Sequence, residues 1–252
     1  MREILPKVRK ESLARKAPGI ACIPLLGILF LIGSGNQAIA NLGNHSLFIK
    51  DNGSLHAMGQ NTYGQLGTGN TTQQNSPTQI VASGVAQVAA GYYHSLFLKL
   101  DGSLWAMGRN NYGQLGTGNT TQQNSPTQIV ASGVVQVAAG QSHSLFLKSD
   151  GSLHAMGRNT YGQLGTGNTT QQNSPTQIVA SGVTQVAAGA SHSLILKSDG
   201  SLHAMGRNNY GQLGTGNTTD KNSPTQVVAS GVTQFAAGYY HSLFLKLDGS
   251  LW

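Results

Sequence analysis

The chain has 252 residues, of which only 9% are charged and 34 are glycine. This length suits one large domain or two ordinary ones, and the glycine content indicates a turn-rich fold. Six basic and two acidic side chains precede residue 41, so +4 of the formal charge of +7 belongs to the first forty residues. The remaining +3 is too small for the broad basic face that nucleic acid needs, and we expect no nucleic-acid partner.

Residues 1–40 have the three parts of a secretory signal peptide. Basic side chains come first, an apolar run covers residues 20–32, and the small residues Ala38 and Ala40 follow. We predict cleavage after Ala40 and an extracytoplasmic protein, either periplasmic or secreted. The alternatives are a membrane anchor formed by residues 20–32, a spurious upstream extension, and a strand over residues 38–41. The run is short for a membrane-spanning helix, which needs about 20 apolar residues, so we expect contact with a membrane only if the leader is uncleaved.

The domain from residue 41 to residue 252 is built from repeats of 49 residues. A histidine opens each unit, and two of the units differ at only five of 49 positions. The units are 45–93, 94–142, 143–191 and 192–240, with a partial unit at 241–252. Such similarity indicates recent duplication, so identity between units is weak evidence of functional selection.

Each unit contains four stretches with strand character. In the second unit, HSLFLK (94–99) and SLWAMG (103–108) are joined through Asp101-Gly102, a dipeptide suited to a tight hairpin turn. Pro126 is expected to begin the third strand, TQIV, and VVQVAAG (134–140) is the fourth. Four short strands per repeat predict an all-β fold, a β-propeller with four-stranded blades of 49 residues. The chain then supplies four blades and an opening hairpin; a solenoid is the weaker alternative.

The segment from Gly91 to Gly118, GYYHSLFLKLDGSLWAMGRNNYGQLGTG, resembles the repeat of the regulator of chromosome condensation family. The resemblance covers the chain from about residue 43 and implies a seven-bladed propeller. One departure is methionine where the family commonly has tryptophan, at Met58, Met107, Met156 and Met205. Because methionine fills irregular core space, we expect packing between blades to persist.

Seven such blades need more residues than the chain has, which leaves three interpretations. The chain is an incomplete propeller, a fragment of a seven-bladed one; or it is an open arc that self-associates through its blade edges; or it is a smaller closed ring. We favour the fragment.

Catalytic chemistry has few candidate residues here. Five of the six aspartates after residue 40 lie in or beside hairpin turns, where Asp bonds to nearby backbone, and only Asp220 remains. The single cysteine, Cys22, lies in the apolar run, and GQLGTGN lacks the Lys-Ser/Thr of a phosphate-binding loop. The recurring histidines are either a ring of metal ligands or, as we prefer, strand-start residues hydrogen-bonded inside their own blade. The serine after each histidine has no third, orienting carboxylate. We predict no enzyme activity, no cofactor and no metal.

Binding specificity would come from positions that differ between units. The two residues before each repeated histidine vary, and in the family the matching loops carry aromatic contact residues. The resemblance therefore implies four binding candidates, Tyr92, Tyr93, Tyr239 and Tyr240, and Gln141 is a further candidate because it occupies the same variable position. Neutral drift at exposed loops is the alternative.

Two further kinds of residue are candidates. Arg109, Arg158 and Arg207 precede the glycine-rich loops and form either a basic arc for an acidic partner or solvated loop positions. Trp105 is either a contact residue or part of the packing between blades.

These observations predict an exported, non-enzymatic scaffold that binds a protein partner through one propeller face. The alternative, implied by the family's founding member, is guanine-nucleotide exchange on a small GTPase with chromatin association. Equal unit lengths and the export-like leader favour the first hypothesis.

Overall fold

The computed structural model describes residues 37–39 and 43–252. The signal peptide and membrane anchor were predicted within residues 1–40, nearly all of which lie outside the described residues. Gln37–Ile39 form a strand that pairs with the strand following it. This strand overlaps residues 38–41, for which a strand was the alternative to the end of a signal peptide. Within the described ranges, no helix is long and apolar enough to span a bilayer.

The described residues form eighteen strands. In chain order they are β1 (Gln37–Ile39), β2 (His45–Ile49), β3 (Leu55–Gly59), β4 (Gln74–Val81), β5 (Val85–Ala90), β6 (His94–Lys99), β7 (Leu104–Gly108), β8 (Gln123–Val130), β9 (Val134–Ala139), β10 (His143–Lys148), β11 (Leu153–Gly157), β12 (Gln172–Val179), β13 (Val183–Ala188), β14 (His192–Lys197), β15 (Leu202–Gly206), β16 (Lys221–Val228), β17 (Val232–Ala237) and β18 (Ser242–Lys246).

Antiparallel pairing gathers these strands into five sheets. Four sheets have four strands each, and we number them blades 1 to 4: β1–β4, β5–β8, β9–β12 and β13–β16. Blade 5 contains β17 and β18, with an added bridge between Leu245 and Leu251. The prediction of an all-β propeller with four blades and an opening hairpin is confirmed.

The first strand of each blade comes from the preceding repeat of the sequence. In blade 2, β5 closes the unit that begins at His45, while β6, β7 and β8 belong to the next unit. The stretch VVQVAAG, assigned from the sequence to unit 94–142, likewise forms β9 of blade 3. A tandem period is the same wherever counting begins, so it does not determine where a sheet starts. The last strand of each repeat thus pairs with the strands of the following repeat and links the two.

The outer strand of each blade is longer than predicted. β8 begins at Gln123, whereas the prediction placed its start at Pro126. Pairing shifts register between Ala106 and Gly108, and Pro126 lies opposite this irregularity. A proline is tolerated there because β8 is an edge strand with a bulge, where a missing N–H breaks no ladder bond.

The hairpin turn forms as predicted. Gly102 has φ of 76°, a conformation that glycine adopts without steric cost. The Asp101 carboxylate accepts a hydrogen bond from the Ser103 backbone N–H at 2.8 Å. This use of Asp101 supports the interpretation of the turn aspartates as structural residues.

The hydrophobic core is divided into layers between neighbouring blades. Between blades 1 and 2, Leu47 packs with Phe97 and Met107 of the next blade. The Met107 side chain is fully buried, and its sulfur fills the space that a Cβ at Gly67 would occupy. The methionines of the next two blades are equally buried in the same position: Met156 and Met205. Methionine therefore fills the seam between blades, as expected.

Candidate functional site

The two ends of each blade carry different connections. In blade 2, the loop 91–93 and the glycine-rich loop 109–122 lie at one end, which we call the loop face in every blade. The hairpin turn 100–103 and the turn 131–133 lie at the other end, the turn face. Because successive strands run in opposite directions, the two faces stay distinct from blade to blade.

A buried asparagine holds each glycine-rich loop in shape. The Asn110 amide donates to Thr117 Oγ1 at 2.9 Å and to the carbonyls of Asn119 and Thr121 at 3.0 and 3.1 Å. Its Oδ1 accepts from the Leu115 N–H at 2.9 Å. The other blades repeat the arrangement with Asn61, Asn159 and Asn208. The recurring glycine motif is thus loop geometry, which presents the loop side chains from a fixed backbone.

An arginine of one blade lies over a tyrosine of the preceding blade along the loop face. The distances from guanidinium carbon to ring centre are 4.9 Å for Arg109 over Tyr63, 5.2 Å for Arg158 over Tyr112 and 5.1 Å for Arg207 over Tyr161. We call these six residues the arginine–tyrosine ladder. Cation–π attraction at such distances holds each guanidinium against a ring, so these arginines are fixed at the seams between blades.

The guanidinium groups keep free hydrogen-bonding capacity. Arg158 Nε donates to Thr160 Oγ1 at 3.0 Å, whereas Nε of Arg109 and of Arg207 is buried without a hydrogen bond inside residues 43–252. The terminal Nη groups of all three arginines make no hydrogen bond within the described part of the chain and remain open to solvent. No carboxylate in that part forms an ion pair with them.

Tyr92 and Tyr93 lie in the loop between β5 and β6, beside the ladder. Their rings meet edge to face at 4.5 Å, and Tyr93 contacts Tyr63 at 4.9 Å. The Arg109 guanidinium is also 5.6 Å from the Tyr93 ring. The backbone N–H of Arg109 donates a hydrogen bond to the Tyr93 carbonyl at 2.9 Å. Burial raises the pKa of Tyr93, which disfavours the ionised form of its phenol. The structure therefore brings Tyr92, Tyr93 and Arg109 together.

The remaining variable positions also meet on the loop face. Gln141 Nε2 donates to the Tyr239 hydroxyl at 3.3 Å, and Tyr239 meets Tyr240 at 4.4 Å. Burial raises the pKa of Tyr239, and the neighbouring phenols of Tyr240 and Tyr92 raise it further. Side chains from blades 2, 3 and 5 are therefore close to one another.

Trp105 lies apart from this group. Its indole stacks parallel to Phe97 at 6.0 Å, and Nε1 donates to Ser103 Oγ at 2.9 Å. Lys99 Nζ lies 4.6 Å from the ring centre. The ring covers the core layer between blades 1 and 2. Trp105 therefore takes part in the packing between blades, the second of the two interpretations given for it.

The repeated histidines bond to the next blade, which corrects the prediction of a partner inside their own blade. His94 Nε2 lies 3.0 Å from Ser144 Oγ, and this serine donates to the Gln114 carbonyl at 2.7 Å. Because the hydroxyl proton is used on the carbonyl, Ser144 accepts from His94 and Nε2 carries the ring proton. The same link joins three further pairs: His45 with Ser95, His143 with Ser193, and His192 with Ser242. The sequence showed the histidine–serine pair but not which blade each one faces.

Burial keeps these histidines neutral. It lowers the pKa of His94 and of His143 to about 3, with the neighbouring repeated histidines adding to the effect. Among residues 37–39 and 43–252, no three His, Cys, Asp or Glu side chains are grouped to hold a metal ion. The histidines therefore join neighbouring blades through hydrogen bonds to serine.

Charge is distributed unequally between the two faces. The turn face carries five lysines and five aspartates, which cancel: Lys50, Lys99, Lys148, Lys197, Lys246, Asp51, Asp101, Asp150, Asp199 and Asp248. The loop face carries the three ladder arginines and Lys221 against Asp220, so it holds all three excess positive charges of the repeat domain. Asp220 itself accepts the Asn208 backbone N–H at 2.7 Å.

Sequence reasoning missed the ladder tyrosines. Tyr63, Tyr112 and Tyr161 recur unchanged in successive units, and invariance between recent duplicates was given little weight. The sequence pattern that could have identified these tyrosines is an aromatic residue beside each glycine-rich loop, three residues after an arginine in most units. Only the structure shows that the arginine of the following blade covers it.

The sequence profile described as "Regulator of chromosome condensation (RCC1) repeat" matches residues 52–98, 101–147, 150–196 and 199–245. The chain belongs to the RCC1 repeat family. A second RCC1 profile matches residues 85–114, 134–163 and 183–212, which begin at the first strands of blades 2, 3 and 4. The resemblance stated from Gly91 to Gly118 is confirmed.

The chain is also similar to individual proteins of known sequence or structure. Protein RCC2 homolog from Xenopus laevis is 47% identical over 51 residues, 19% of this chain and 10% of that protein. Human WBSCR16 is 29% identical with a TM-score of 0.75, over 83% of this chain and 58% of that one. Prp20p from Saccharomyces cerevisiae is 24% identical with a TM-score of 0.71, over 81% of this chain and 54% of that one. The chain therefore spans a tenth of the curated relative and just over half of these two solved structures.

Proposed function

We propose that this RCC1-repeat propeller is a non-enzymatic scaffold that binds a partner protein through its loop face. The observation that carries the proposal is the arginine–tyrosine ladder, in which half-buried cations recur on one face without a carboxylate partner among residues 37–39 and 43–252. Arg, Tyr and Trp dominate protein-binding hot spots because they combine large contact area with directed hydrogen bonds. The opposite face offers matched lysines and aspartates in short turns.

The loop backbone supports this use of the face. The Asn110 network fixes the glycine-rich loop, and the loop 91–93 is held by the Arg109–Tyr93 backbone hydrogen bond of 2.9 Å. A surface whose side chains are already ordered loses less conformational entropy when a partner binds. The RCC1 relative Prp20p is described as binding Gsp1p and histones, and we take from it only the general idea of a protein partner.

Site-directed crosslinking tests the assignment of the face. Asn111 and Ser132 are exposed and lie at opposite ends of β8, on the loop face and the turn face. Cys22 is the only cysteine, so Asn111→Cys and Ser132→Cys in a Cys22→Ser background each carry one attachment point for a photoreactive maleimide. We expect a discrete crosslinked partner from position 111, competed by unlabelled protein, and none from position 132. Equal crosslinking from both positions would contradict the proposal.

Export is a separate part of the proposal. It rests on the basic, apolar and small-residue pattern of residues 1–40. Cleavage after Ala40 would remove β1 and leave β2 as an edge of blade 1. Amino-terminal sequencing of the fractionated native protein tests it. Residue 41 at the amino terminus of an extracytoplasmic form is expected, and Met1 retained on a cytosolic form would contradict it.

A further inference from the structure

The excess charge of the repeat domain lies where the arginines are held in place. In blades 2 and 3, which have neighbours on both sides, Arg109 and Arg158 each lie across a seam on a tyrosine of the preceding blade. The stacking fixes the plane of the guanidinium, while the Nη groups face solvent. An arginine fixed by aromatic rings loses little freedom when it binds an anion, and its fork of donors matches a carboxylate.

Resting on the proposed function, we propose that the loop face recognises an acidic segment of the partner protein, whose carboxylates pair with Arg109 and Arg158. The contact joins neighbouring blades, because each guanidinium is supported by the blade before it. Asp220 is the single acidic side chain of this face in residues 43–252, and it bonds to the Asn208 backbone. No carboxylate of the described chain therefore competes for the arginines.

A protein segment fits the face better than a nucleic acid does. A protein that makes six to ten phosphate contacts needs roughly as many cations, whereas this face has three arginines and one lysine. The ladder tyrosines Tyr63 and Tyr112 are partly covered by the arginines above them, so their rings offer little surface for base stacking. Carboxylates spaced along a peptide need only the guanidinium forks.

The experiment measures binding of fluorescein-labelled poly-glutamate by fluorescence anisotropy at low and high salt. Poly-lysine and a single-stranded oligonucleotide of matched length are compared. Blade 1 carries Gln60 where the following blades have arginine, so Arg109→Gln with Arg158→Gln uses a residue already present in this fold. Lys99→Gln with Lys148→Gln removes the same charge from the turn face as a control. Urea unfolding checks that each variant is folded.

We expect poly-glutamate to bind in a salt-sensitive way and the arginine double variant to lose about tenfold in affinity, which corresponds to two modest charge-assisted contacts. The lysine control should bind like the unchanged protein. Arg109→Lys with Arg158→Lys should bind more weakly than the unchanged protein, because lysine keeps the charge but not the planar fork.

Several outcomes would overturn the inference. Equal losses from the two glutamine double variants would show a general charge effect, and tighter binding of the oligonucleotide would assign the face to nucleic acid. Salt-sensitive self-association that the arginine changes abolish would assign it to a second copy of the chain. If the Asn111 crosslink forms but poly-glutamate neither binds nor competes, the acidic partner is wrong while the proposed function stands. If no crosslink forms from Asn111, the proposed function itself fails.

Discussion

Acidification should destabilise this propeller through its buried histidines. Burial lowers the pKa of His94 and His143 to about 3, and that of His45 and His192 to about 4. In an unfolded chain these imidazoles have a pKa near 6.5. Below that pH the unfolded chain binds protons that the folded chain does not, so stability is complete above pH 6.5 and falls as the pH drops.

The size of the effect follows from these pKa values. At about pH 5 each neutral, buried ring favours unfolding by about 2 kcal/mol relative to pH 7, because its unfolded form is then almost fully protonated. Four such rings together give about 8 kcal/mol. A domain has about 5 to 15 kcal/mol of stability in total, so the histidines alone remove most of it.

Urea unfolding at several values between about pH 7 and pH 5, followed by tryptophan fluorescence, measures this loss. The turn aspartates do not obscure it. Hydrogen bonds from the following serine hold the pKa of Asp101 and of Asp150 below the ordinary value. Their contribution is therefore lost only below about pH 4.

The control is His154→Trp, which places at position 154 the residue that blade 2 has at Trp105. His154 stacks on Phe146 outside the histidine–serine links, so this variant should keep most of the pH dependence. A free energy of unfolding that stays constant between pH 7 and pH 5 would refute the reasoning, since it would mean that the four rings titrate as they do in water.

Three substitutions test the local structures at neutral pH, each by urea unfolding. Ser144→Ala should cost about 3 kcal/mol, because it leaves the His94 N–H and a backbone carbonyl buried without partners; a cost below about 0.5 kcal/mol would mean that the link is unimportant. Asn110→Ala should cost about 3 kcal/mol and make the loop 109–122 sensitive to proteolysis, since four hydrogen bonds are lost. Unchanged proteolysis would contradict this. Met107→Ala should cost about 3 kcal/mol through the cavity left between blades, whereas the matching change at the partly exposed Met58 should cost less.

Much of the fold could be predicted from the sequence because repetition exposes it. The period of 49 residues, the Asp101-Gly102 turn and the alternation of short strands with glycine-rich loops together define a four-stranded blade. These are local properties, set by turn chemistry and strand propensity within one unit. The same reasoning assigned the turn aspartates to structural roles and methionine to the seams.

Contacts between units could not be predicted in the same way. A tandem sequence gives every unit the same neighbours along the chain, so it does not show that β5 pairs with β6 of the next unit or that His94 bonds to Ser144. The candidate site has the same origin. Tyr92, Tyr93 and Arg109 were chosen individually from the sequence, but Tyr63, which contacts both Tyr93 and Arg109, belongs to the previous blade.

The sequence by itself therefore determined the repeat, the blade and the chemical character of its loops, since these depend on residues close together in the chain. Only the tertiary structure decided which strand opens each sheet, where the excess charge gathers, and that arginine and tyrosine alternate across the seams. Those features arise from packing one blade against the next, and the free energy of that packing depends on contacts between residues about fifty positions apart.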